Sequence, residues 1–450
     1  MMPPMKQLFA PLAVGLACAA TAFAADSTLH TWKKLHLTPE FWGEGAHVAD
    51  FNKDGQPDVV SGPYWYAGPD FKTRHEYAPI TRSSPAGKAP FTRKTADGKD
   101  ELVPGFEGGL GTNNAYSDNF FTFTGDINGD GWADVIVLGF PGLHSWWFEN
   151  PQGKPGHWTR HVAVDSTDNE SPTYADLTGD GKPELIFTTG GFLGYATPDA
   201  KNPTNKWTFH KISPKGPWQK FTHGLGIGDV NGDGRLDLLE KDGWWEQPAS
   251  LAGDPEWKQH KTSFGAGGAQ MHVYDVNGDG RNDIVTGLVA HGYGLAWFEQ
   301  LAEKDEQGNP KFKTHTFVNK EPKENRYGVA FSQPHAMELV DMDGDGLKDL
   351  VTGKRFWAHG PKGDPEPNAP AVLYWFKLVR HADKSVDWVP HLIDNNSGVG
   401  TQVLVVDVNG DKLLDIVVGN KKGTFVHLHQ AKSVSKAEWE KAQPKPVESK

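Results

Sequence analysis

The stretch Asp275-Val-Asn-Gly-Asp-Gly-Arg-Asn-Asp283 is one copy of a nine-residue pattern that returns seven times along the chain. The pattern places carboxylate or amide oxygens at positions 1, 3, 5 and 9 and a glycine at position 6. Oxygen atoms spaced in this way can wrap around a hard cation such as calcium, and the glycine permits the tight turn that brings them together. The sequence therefore predicts a series of calcium loops. The copies begin at Asp50, Asp126, Asp176, Asp229, Asp275, Asp341 and Asp407.

The predicted calcium ligands are the carboxylate and amide side chains of these loops. They are Asp50, Asn52, Asp54, Asp58, Asp126, Asn128, Asp130, Asp134, Asp176, Asp180, Asp229, Asn231, Asp233, Asp237, Asp275, Asn277, Asp279, Asp283, Asp341, Asp343, Asp345, Asp349, Asp407, Asn409, Asp411 and Asp415. Two copies depart from the pattern. Thr178 and Glu184 replace Asn and Asp in the third copy, and Lys412 replaces glycine in the seventh. We expect these two loops to bind calcium more weakly or not at all.

Apolar, β-branched runs follow the loops, as in Asp283-Ile-Val and Asp415-Ile-Val-Val. This composition is typical of strands, whereas the calcium loop of a helix-loop-helix hand carries Glu at position 12 and leads into a helix. Each repeat can be read as four strands, and the last strand carries an aromatic residue followed by a histidine three or four positions later. The seventh repeat lacks that strand, and Trp32-Lys-Lys-Leu-His36 near the N-terminus supplies it. The sequence predicts an all-β, seven-bladed β-propeller of four-stranded antiparallel blades over residues 25–431, closed by an N-terminal strand that completes the last blade.

The Asp-x-Asn-x-Asp-Gly-x-x-Asp loop between strands resembles that of the FG-GAP or VCBS repeat propellers, and the resemblance covers about residues 30–430. It implies the propeller fold and calcium in the loops. The family includes integrin-like binding heads, lectin-like modules and sugar-modifying enzymes, so the resemblance leaves the function open.

The two ends of the chain differ in composition from the repeats. Residues 1–24 have the basic start, apolar run and small-residue end of a secretory signal peptide, which predicts export to the periplasm or the medium. Pro11 and Gly15 interrupt the run, which disfavours a membrane-spanning helix, and Gly15-Leu-Ala-Cys18 only partly matches a lipoprotein cleavage box. Cleavage would remove Cys18, the sole cysteine. Residues 432–450 form a polar tail, expected to be poorly ordered or a short helix.

The net charge of -12 lies largely in the ion loops, and no basic stripe is present, which argues against nucleic acid as a partner. The segments 79–117 and 354–371 are long for loops in a compact domain and are candidate functional lids. The chain also lacks a Gly-rich phosphate loop and a Gly-x-Ser-x-Gly elbow, which disfavours kinases, nucleotide-binding enzymes and serine hydrolases.

A polar site is predicted where the inner strands begin. The residue six positions before each ion loop should be apolar by strand parity, yet four of the seven are ionisable. In chain order they are Glu44, Phe120, Glu170, His223, Ala269, His335 and Thr401. Histidine nitrogens with carboxylates nearby favour a divalent transition metal. We therefore predict one such metal at the channel mouth, with His223, His335, Glu170 and His47 as its ligands.

Further candidates come from neighbouring positions on the same face. Catalytic roles are predicted for His272, His291, Lys354, Arg355 and His359, and substrate binding for Asp118, Asn119, Gln270 and Gln402. Any one histidine is more often structural than functional, and the outer-strand histidines, which recur beside a Trp or Phe, are predicted to be structural. The site is supported by convergence from several repeats.

Two functions remain open at this point. The chain is similar to the propeller domain of the aldos-2-ulose dehydratases, which implies a metal-assisted lyase or dehydratase acting on an oxidised or keto-sugar. His272 would be the base and Lys354 or Arg355 would stabilise the anion formed. The alternative is a non-catalytic propeller that binds carbohydrate or protein, in the manner of lectins or integrins, with calcium only stabilising the fold.

Overall fold

The computed structural model describes residues 27–80, 91–94, 99–103 and 116–447. The predicted signal peptide, most of the 79–117 segment and the last three residues of the tail lie outside this part of the chain. The described residues contain thirty strands, one 3₁₀ turn at Pro322–Glu324 and one α-helix, α1, at Lys436–Ala442.

Most strands fall into seven groups of four, which we call units 1 to 7 in the order of their ion loops. Unit 1 contains β2 (His47–Ala49), β3 (Asp58–Ser61), β4 (Tyr64–Tyr66) and β5 (Arg74–Glu76), and unit 2 contains β8 (Phe121–Gly125), β9 (Asp134–Leu138), β10 (Ser145–Glu149) and β11 (Thr159–Val164). Unit 3 contains β12 (Thr173–Ala175), β13 (Glu184–Thr189), β14 (Phe192–Thr197) and β15 (Thr208–Lys211), and unit 4 contains β16 (Leu225–Gly228), β17 (Asp237–Glu240), β18 (Gly243–Glu246) and β19 (Lys258–Lys261).

Units 5 to 7 contain longer outer strands. Unit 5 contains β20 (Gln270–Tyr274), β21 (Asp283–Gly287), β22 (Leu295–Lys304) and β23 (Pro310–Val318), and unit 6 contains β24 (Met337–Val340), β25 (Asp349–Gly353), β26 (Leu373–Arg380) and β27 (Val386–Asp394). Unit 7 contains β28 (Leu404–Val406), β29 (Asp415–Asn420), β30 (Gly423–Val434) and β1 (Ser27–Thr38). A separate hairpin is formed by β6 (Phe91–Lys94) and β7 (Asp100–Val103).

The strands of each unit pair in antiparallel fashion in sheet order. In the described residues, five units form separate four-stranded sheets, and units 4 and 5 share one eight-stranded sheet through parallel pairing of β16 with β20. In unit 7 the outer position is taken by β1, which pairs along its length with β30, from Ser27 opposite Val434 to Thr38 opposite Thr424. This arrangement confirms an all-β propeller built from four-stranded antiparallel units, with the N-terminal strand at the predicted place in unit 7.

The ion loop joins the first two strands of each unit, and its own side chains shape it. In unit 2, Asp126 accepts hydrogen bonds from the backbone N–H groups of Gly129 and Gly131 at 2.8 Å. The ninth residue, Asp134, is fully buried and accepts from the backbone of Ile127 and, across the sheet, of Asn150. A buried carboxylate with both oxygens paired pins the loop to the third strand.

The outer-strand histidines have the structural role that the sequence predicts. Each lies directly opposite an aromatic residue of the third strand and stacks on it, with ring centroids 4.0 to 4.8 Å apart. Cross-strand pairs of this kind are a main source of sheet stability. The seven pairs are Trp65–His75, Trp147–His161, Tyr195–His210, Trp244–His260, Trp297–His315, Trp375–His391 and Phe425–His36.

The C-terminal segment continues from β30 into α1, whose start has a capping box between Ser435 and Glu438. Beyond the helix, the backbone N–H of Val447 donates to Arg326 O at 2.8 Å. The short-helix expectation for the tail therefore holds in its described part. Among the described residues, no helix has the length and apolar character needed to cross a membrane.

Candidate functional site

The entries to the inner strands of different units meet through backbone hydrogen bonds. The N–H of Glu44 donates to Asn119 O at 2.9 Å, and that of Glu170 donates to Thr222 O at 2.8 Å. Residues just before the inner strands therefore lie side by side around one axis. The ionisable side chains six positions before the loops come together there, as the strand parity predicts.

Three atoms of this cluster form a nearly equilateral triangle. His223 Nε2 lies 3.1 Å from His335 Nε2, and Glu170 Oε2 lies 3.5 Å from the first and 3.3 Å from the second. His291 completes the group, since one of its nitrogens lies within 4.8 Å of the other ligand atoms. The three imidazole centroids are 4.9 Å apart in every pair. Glu170 and His335 are buried, whereas His223 and His291 are partly exposed, so the group opens on one side.

Arg355 closes the inner side of the cluster. Its Nη1 lies 3.3 Å from Glu170 Oε2 and 3.0 Å from His335 Nε2, and its Nε donates to Glu44 Oε2 at 3.0 Å. Lys421 Nζ lies 3.5 Å from Glu44 Oε1. Glu44, Arg355 and Lys421 are almost wholly buried, and buried charges are tolerated only when charges of opposite sign lie beside them. The negative charges of Glu44 and Glu170 equal in number the positive charges of Arg355 and Lys421.

These contacts shift the pKa values of the cluster. Burial alone would raise the pKa of Glu170, but hydrogen-bond contacts with His223 and His335 hold that pKa well below its usual value. Burial, reinforced by the Arg355 charge, holds the pKa of His335 well below 6.5. Burial likewise lowers the pKa of Lys421 to about 8 despite Glu44. His335 is therefore a neutral imidazole with a lone pair to offer at neutral pH.

A second pair extends the cluster toward solvent. His359 Nδ1 lies 2.8 Å from Asp364 Oδ1, and its ring packs against His291 at 4.3 Å between centroids. Burial would raise the pKa of Asp364, but hydrogen bonds with His291 and His359 lower it well below its usual value. With Nδ1–H donating to this carboxylate, the basic nitrogen of His359 is Nε2. The side chain of His359 is half exposed.

Strained backbone precedes both triangle histidines. Phe221 and Gln333 stand two residues before His223 and His335, and both have positive φ, 66° and 62°. Each is fixed by a backbone hydrogen bond of 2.7 Å, from its N–H to Asp168 O and Gly292 O respectively. Non-glycine residues in this region cost about 1 kcal/mol or more and cluster at functional sites. The strain turns the chain so that each histidine faces the axis.

An aromatic wall stands beside the site. Phe221 is 44% exposed, and its ring packs edge-on against Phe140 at 5.4 Å. Phe140 in turn lies 5.2 Å from Tyr116, whose ring is 6.4 Å from that of His359. An exposed phenylalanine on strained backbone next to a polar cluster offers a flat apolar surface to a ligand.

Two predicted site histidines lie elsewhere. His47 Nδ1 lies 2.9 Å from Thr124 Oγ1, and His272 Nε2 lies 3.2 Å from Met337 O. Among the described residues, neither is a member of a group that could hold a metal ion. Burial lowers the pKa of both to about 4. Both lie between neighbouring inner strands, because position -3 has the opposite parity to position -6.

The predicted substrate-binding amides connect strands. Gln270 Oε1 accepts from Met337 N at 2.9 Å, and Gln402 Nε2 donates to Thr122 O at 2.9 Å. Asn119 is buried and its Oδ1 accepts from Thr122 Oγ1 at 2.8 Å. Because their amide groups form these hydrogen bonds, the three side chains stabilise the inner strands.

Asp118 and Lys354 also lie outside the triangle. Asp118 lines a separate cavity of about 560 Å³ between units 1 and 2, and burial raises its pKa to about 6. Lys354 is fully buried and donates to Ser332 Oγ at 2.6 Å, while burial lowers its pKa to about 8. Of the neighbouring pair Lys354 and Arg355, only Arg355 reaches the cluster.

Sequence reasoning missed Lys421, Asp364 and Tyr116. Lys421 stands in the turn after β29, which corresponds to the position of Arg355 after β25. A search of every loop that leaves a second strand would therefore have found it. Asp364 lies five residues beyond His359 in an irregular segment, and Tyr116 stands ten residues before the ion loop of unit 2, well outside the six-residue offset. No periodic signal marks either of them.

The departures in the ion loops have structural counterparts. In unit 3, Thr178 donates to Glu184 Oε1, and both the Leu177 and Thr178 N–H groups donate to its Oε2. In unit 7, Lys412 adopts φ 72°, close to the 82° to 90° of Gly131 and Gly346 at the same position. The turn is thus kept at the cost of a strained lysine.

Comparison with known proteins bears on the fold. The model of the FG-GAP-like repeat family matches residues 126–187. Among curated proteins, none matches the chain. Similar solved structures include an Agrocybe aegerita lectin that recognises non-reducing terminal N-acetylglucosamine, with 15% identity, 93% of this chain and 88% of that chain covered, and a TM-score of 0.41.

Two rhamnogalacturonan lyases are also similar. The lyase YesW shares 15% identity over 91% of this chain and 73% of its own, with a TM-score of 0.39. The Bacillus licheniformis enzyme shares 12% identity over 89% and 71%, also with a TM-score of 0.39. Together, the FG-GAP-like match and the four-stranded sheets identify the chain as an all-β propeller that contains FG-GAP-like repeat sequence.

Proposed function

We propose that Glu170, His223 and His335, with His291 beside them, bind one divalent transition metal. The observation that carries the proposal is the triangle of 3.1, 3.3 and 3.5 Å. Metal–ligand bonds of about 2.0–2.2 Å at tetrahedral angles separate the ligand atoms by about 3.3–3.6 Å. The triangle fits such an ion on its open side.

Hydrogen bonding alone leaves this cluster poorly paired. The Arg355 Nη1–H and a proton on His223 Nε2 both face His335 Nε2, which has one lone pair to accept with. The Nδ1 atom of His335 is buried without a hydrogen-bond partner in the described part of the chain. A cation on the lone pairs of both Nε2 atoms would remove the competition, and the nitrogen ligands favour zinc, iron, manganese or nickel over calcium.

Charge balance favours a substrate that carries or develops an anionic oxygen. Glu44 and Glu170 offset Arg355 and Lys421, so a divalent ion would leave the buried cluster with excess positive charge. A substrate carbonyl oxygen that takes on negative charge during the reaction would offset that excess.

The reaction class that uses these groups is elimination from an oxidised or keto-sugar, which makes the protein a carbon–oxygen lyase. When bound, the metal supplies a Lewis acid beside the carbonyl oxygen. His359 Nε2, held by Asp364, accepts the proton from the carbon next to that carbonyl. The C–O bond one carbon further breaks, a C=C bond forms, and the leaving hydroxyl departs as water with the proton that His359 returns. Phe221 supports the sugar ring.

The wider architecture belongs to the same proposal. Each of units 1 to 7 is one blade, and β1 closes a seven-bladed ring on β30, since it takes the outer position of unit 7. The loops of units 1, 2, 4 and 5 bind calcium and stabilise the fold. The protein is exported, as the first 24 residues predict.

Elemental analysis of the full chain, exchanged into calcium-containing buffer, tests the metal site without a known substrate. We expect about one equivalent of a transition metal per chain, lost in His223→Ala/His335→Ala and kept in His157→Ala, which removes an exposed histidine paired with Glu76. Loss in the double variant would justify assays with keto-sugars, read by ultraviolet absorbance of the conjugated product. Absence of transition metal from the wild-type chain would contradict the proposal.

The alternative is a propeller that binds carbohydrate without catalysis. The exposed ring of Phe221 favours ligand binding in either case. A glycan-binding screen followed by analysis of the released sugar separates the two functions. A binding protein would release its sugar unmodified, whereas the wild-type lyase would convert it and His359→Gln would bind it without conversion.

A further inference from the structure

In units 2 and 5, a glutamate on the third strand is held by the outer-strand histidine. His161 Nε2 lies 2.9 Å from Glu149 Oε2, and His315 Nε2 lies 2.7 Å from Glu299 Oε2. In both units the glutamate stands two residues after the aromatic ring on which that histidine stacks. The stacked histidine therefore aims the carboxylate.

The second oxygen of each glutamate faces the ion loop of its own unit. Asn128 Nδ2, at the third loop position, donates to Glu149 Oε1 at 3.4 Å, and Asn277 Nδ2 donates to Glu299 Oε1 at 3.5 Å. The loop supplies the donor and the strand supplies the acceptor. The amide oxygen of each Asn faces the loop interior, where Asp130 N and Asp279 N donate to it.

In unit 6 the polarity of this pair is reversed. Lys377 stands where the glutamate is found, two residues after Trp375, and Asp343 replaces Asn at the third loop position. The Lys377 ammonium contacts the carboxylates of both Asp343 and Asp345. The facing histidine, His391, still stacks on Trp375, but its Nε2 has no hydrogen-bond partner in the described residues, since the glutamate it would bind is missing.

The two exchanges compensate each other in charge. A lysine alone would set its ammonium against the Asn amide nitrogen, one donor facing another, and an aspartate alone would add a fourth carboxylate to the Asp341–Asp349 loop. Together they place one ammonium between the carboxylates at positions 3 and 5, which are two of the loop side chains that would ligate a cation. The ammonium is not a loose surface group, because the Lys377 side chain is only 23% exposed.

We propose that the Lys377 ammonium takes the place of the divalent cation in unit 6, so that the loop Asp341–Asp349 is closed without metal and stays closed when calcium is removed. The inference goes beyond the channel site and rests on the proposed calcium binding of the other loops. A divalent ion and the ammonium repel each other at such short range and compete for the same oxygens, so unit 6 holds one or the other.

The test is calcium stoichiometry of the full chain, measured by equilibrium dialysis after treatment with a chelator. We expect Lys377→Met to bind one equivalent more than the wild-type chain and to unfold at a lower temperature in chelator, with calcium restoring the lost part. Lys348→Met is the matched control, because Lys348 carries the same charge within the Asp341–Asp349 loop but is exposed and lies over the ring of Tyr274. It should bind as many equivalents as the wild-type chain.

A second variant guards against poor folding of the first. Asp343→Asn/Lys377→Glu gives unit 6 the pair found in unit 5, and it too should gain one equivalent. An unchanged number of calcium ions in whichever of the two variants folds would overturn the proposal. If the general calcium proposal is wrong, the wild-type chain will bind no calcium at all. The difference in bound calcium between the variant and the wild-type chain still tests unit 6 in that case.

Discussion

His223 Nε2 and His335 Nε2 lie 3.1 Å apart although 112 residues separate them in the chain. Each stands six residues before the ion loop of its unit, and each follows a residue with positive φ by two positions. The same local backbone arrangement, used in two units, thus delivers two imidazoles to one point. The predictions below concern the groups around that point and the framework that holds it.

Arg355 should be among the most important residues for stability. Arg355→Met leaves Glu44 and Glu170 buried without their main cation, and breaking a buried ion pair on one side costs about 3–5 kcal/mol. Chemical denaturation measures the loss. Glu44→Gln combined with Arg355→Met should cost less than the sum of the single changes, because the double variant removes both partners of one pair. Additive losses would show that the two residues do not interact.

The His359–Asp364 pair should govern turnover and leave the metal in place. His359→Gln and Asp364→Asn are each expected to lower kcat on a keto-sugar by about 10²-fold or more, since one removes the base and the other releases its orientation. Metal content should equal that of the wild-type chain. If Asp364→Asn instead removed the metal, the residue would belong to the metal site through His291.

Phe221 should reveal a conflict between stability and ligand binding. Phe221→Gly relieves the positive φ and should be more stable than Phe221→Ala by about 1 kcal/mol, because alanine keeps the strain. Both variants should raise KM, as both remove the exposed ring. Thermal denaturation and steady-state kinetics of the two variants provide the comparison, and equal stability would mean that the backbone at 221 is not strained.

His272 should make the fold sensitive to acid. Burial lowers its pKa from 6.5 to about 4, so between these values the unfolded chain binds a proton that the folded chain does not. Its contribution to stability is therefore present above about pH 6.5 and is lost as the pH falls toward 4. When the pH is lowered from 7 to 4.5, the free energy of unfolding of His272→Gln should therefore fall by about 1–3 kcal/mol less than that of the wild-type chain.

Urea denaturation at the two pH values measures this difference. His157→Gln, which removes an exposed imidazole, is the matched control. The same pH response in His272→Gln and in the wild-type chain would exclude His272 as a source of acid sensitivity.

The triangle ligands could be predicted because strand parity is strict and the repeats share one register. Glu170, His223 and His335 occupy the same offset from their loops, and the structure brings them together. His47 and His272 stand at an odd offset, which turns them toward the neighbouring inner strand. That distinction was available in the sequence, and applying the parity to every candidate would have separated the two groups.

Residues in irregular segments could not be predicted in this way. Asp364 reaches His359 through an irregular turn that has no period. The polar ends of Gln270 and Gln402 are used by backbone groups of other units, which only the three-dimensional packing reveals. Lys377 likewise has meaning only beside Asp343, 34 residues earlier in the chain.

The pairing of β1 with β30 also constrains the order of events during biosynthesis. His30 and His429 are hydrogen-bonded neighbours at 2.8 Å but are 399 residues apart, so the earliest of the described strands to be made must wait for the latest. Until then, β1 and the partly built unit 7 both present unpaired strand edges, which promote association with other chains. Loss of β1 or loss of β30 would thus leave the same unit incomplete, although the two strands come from opposite parts of the chain.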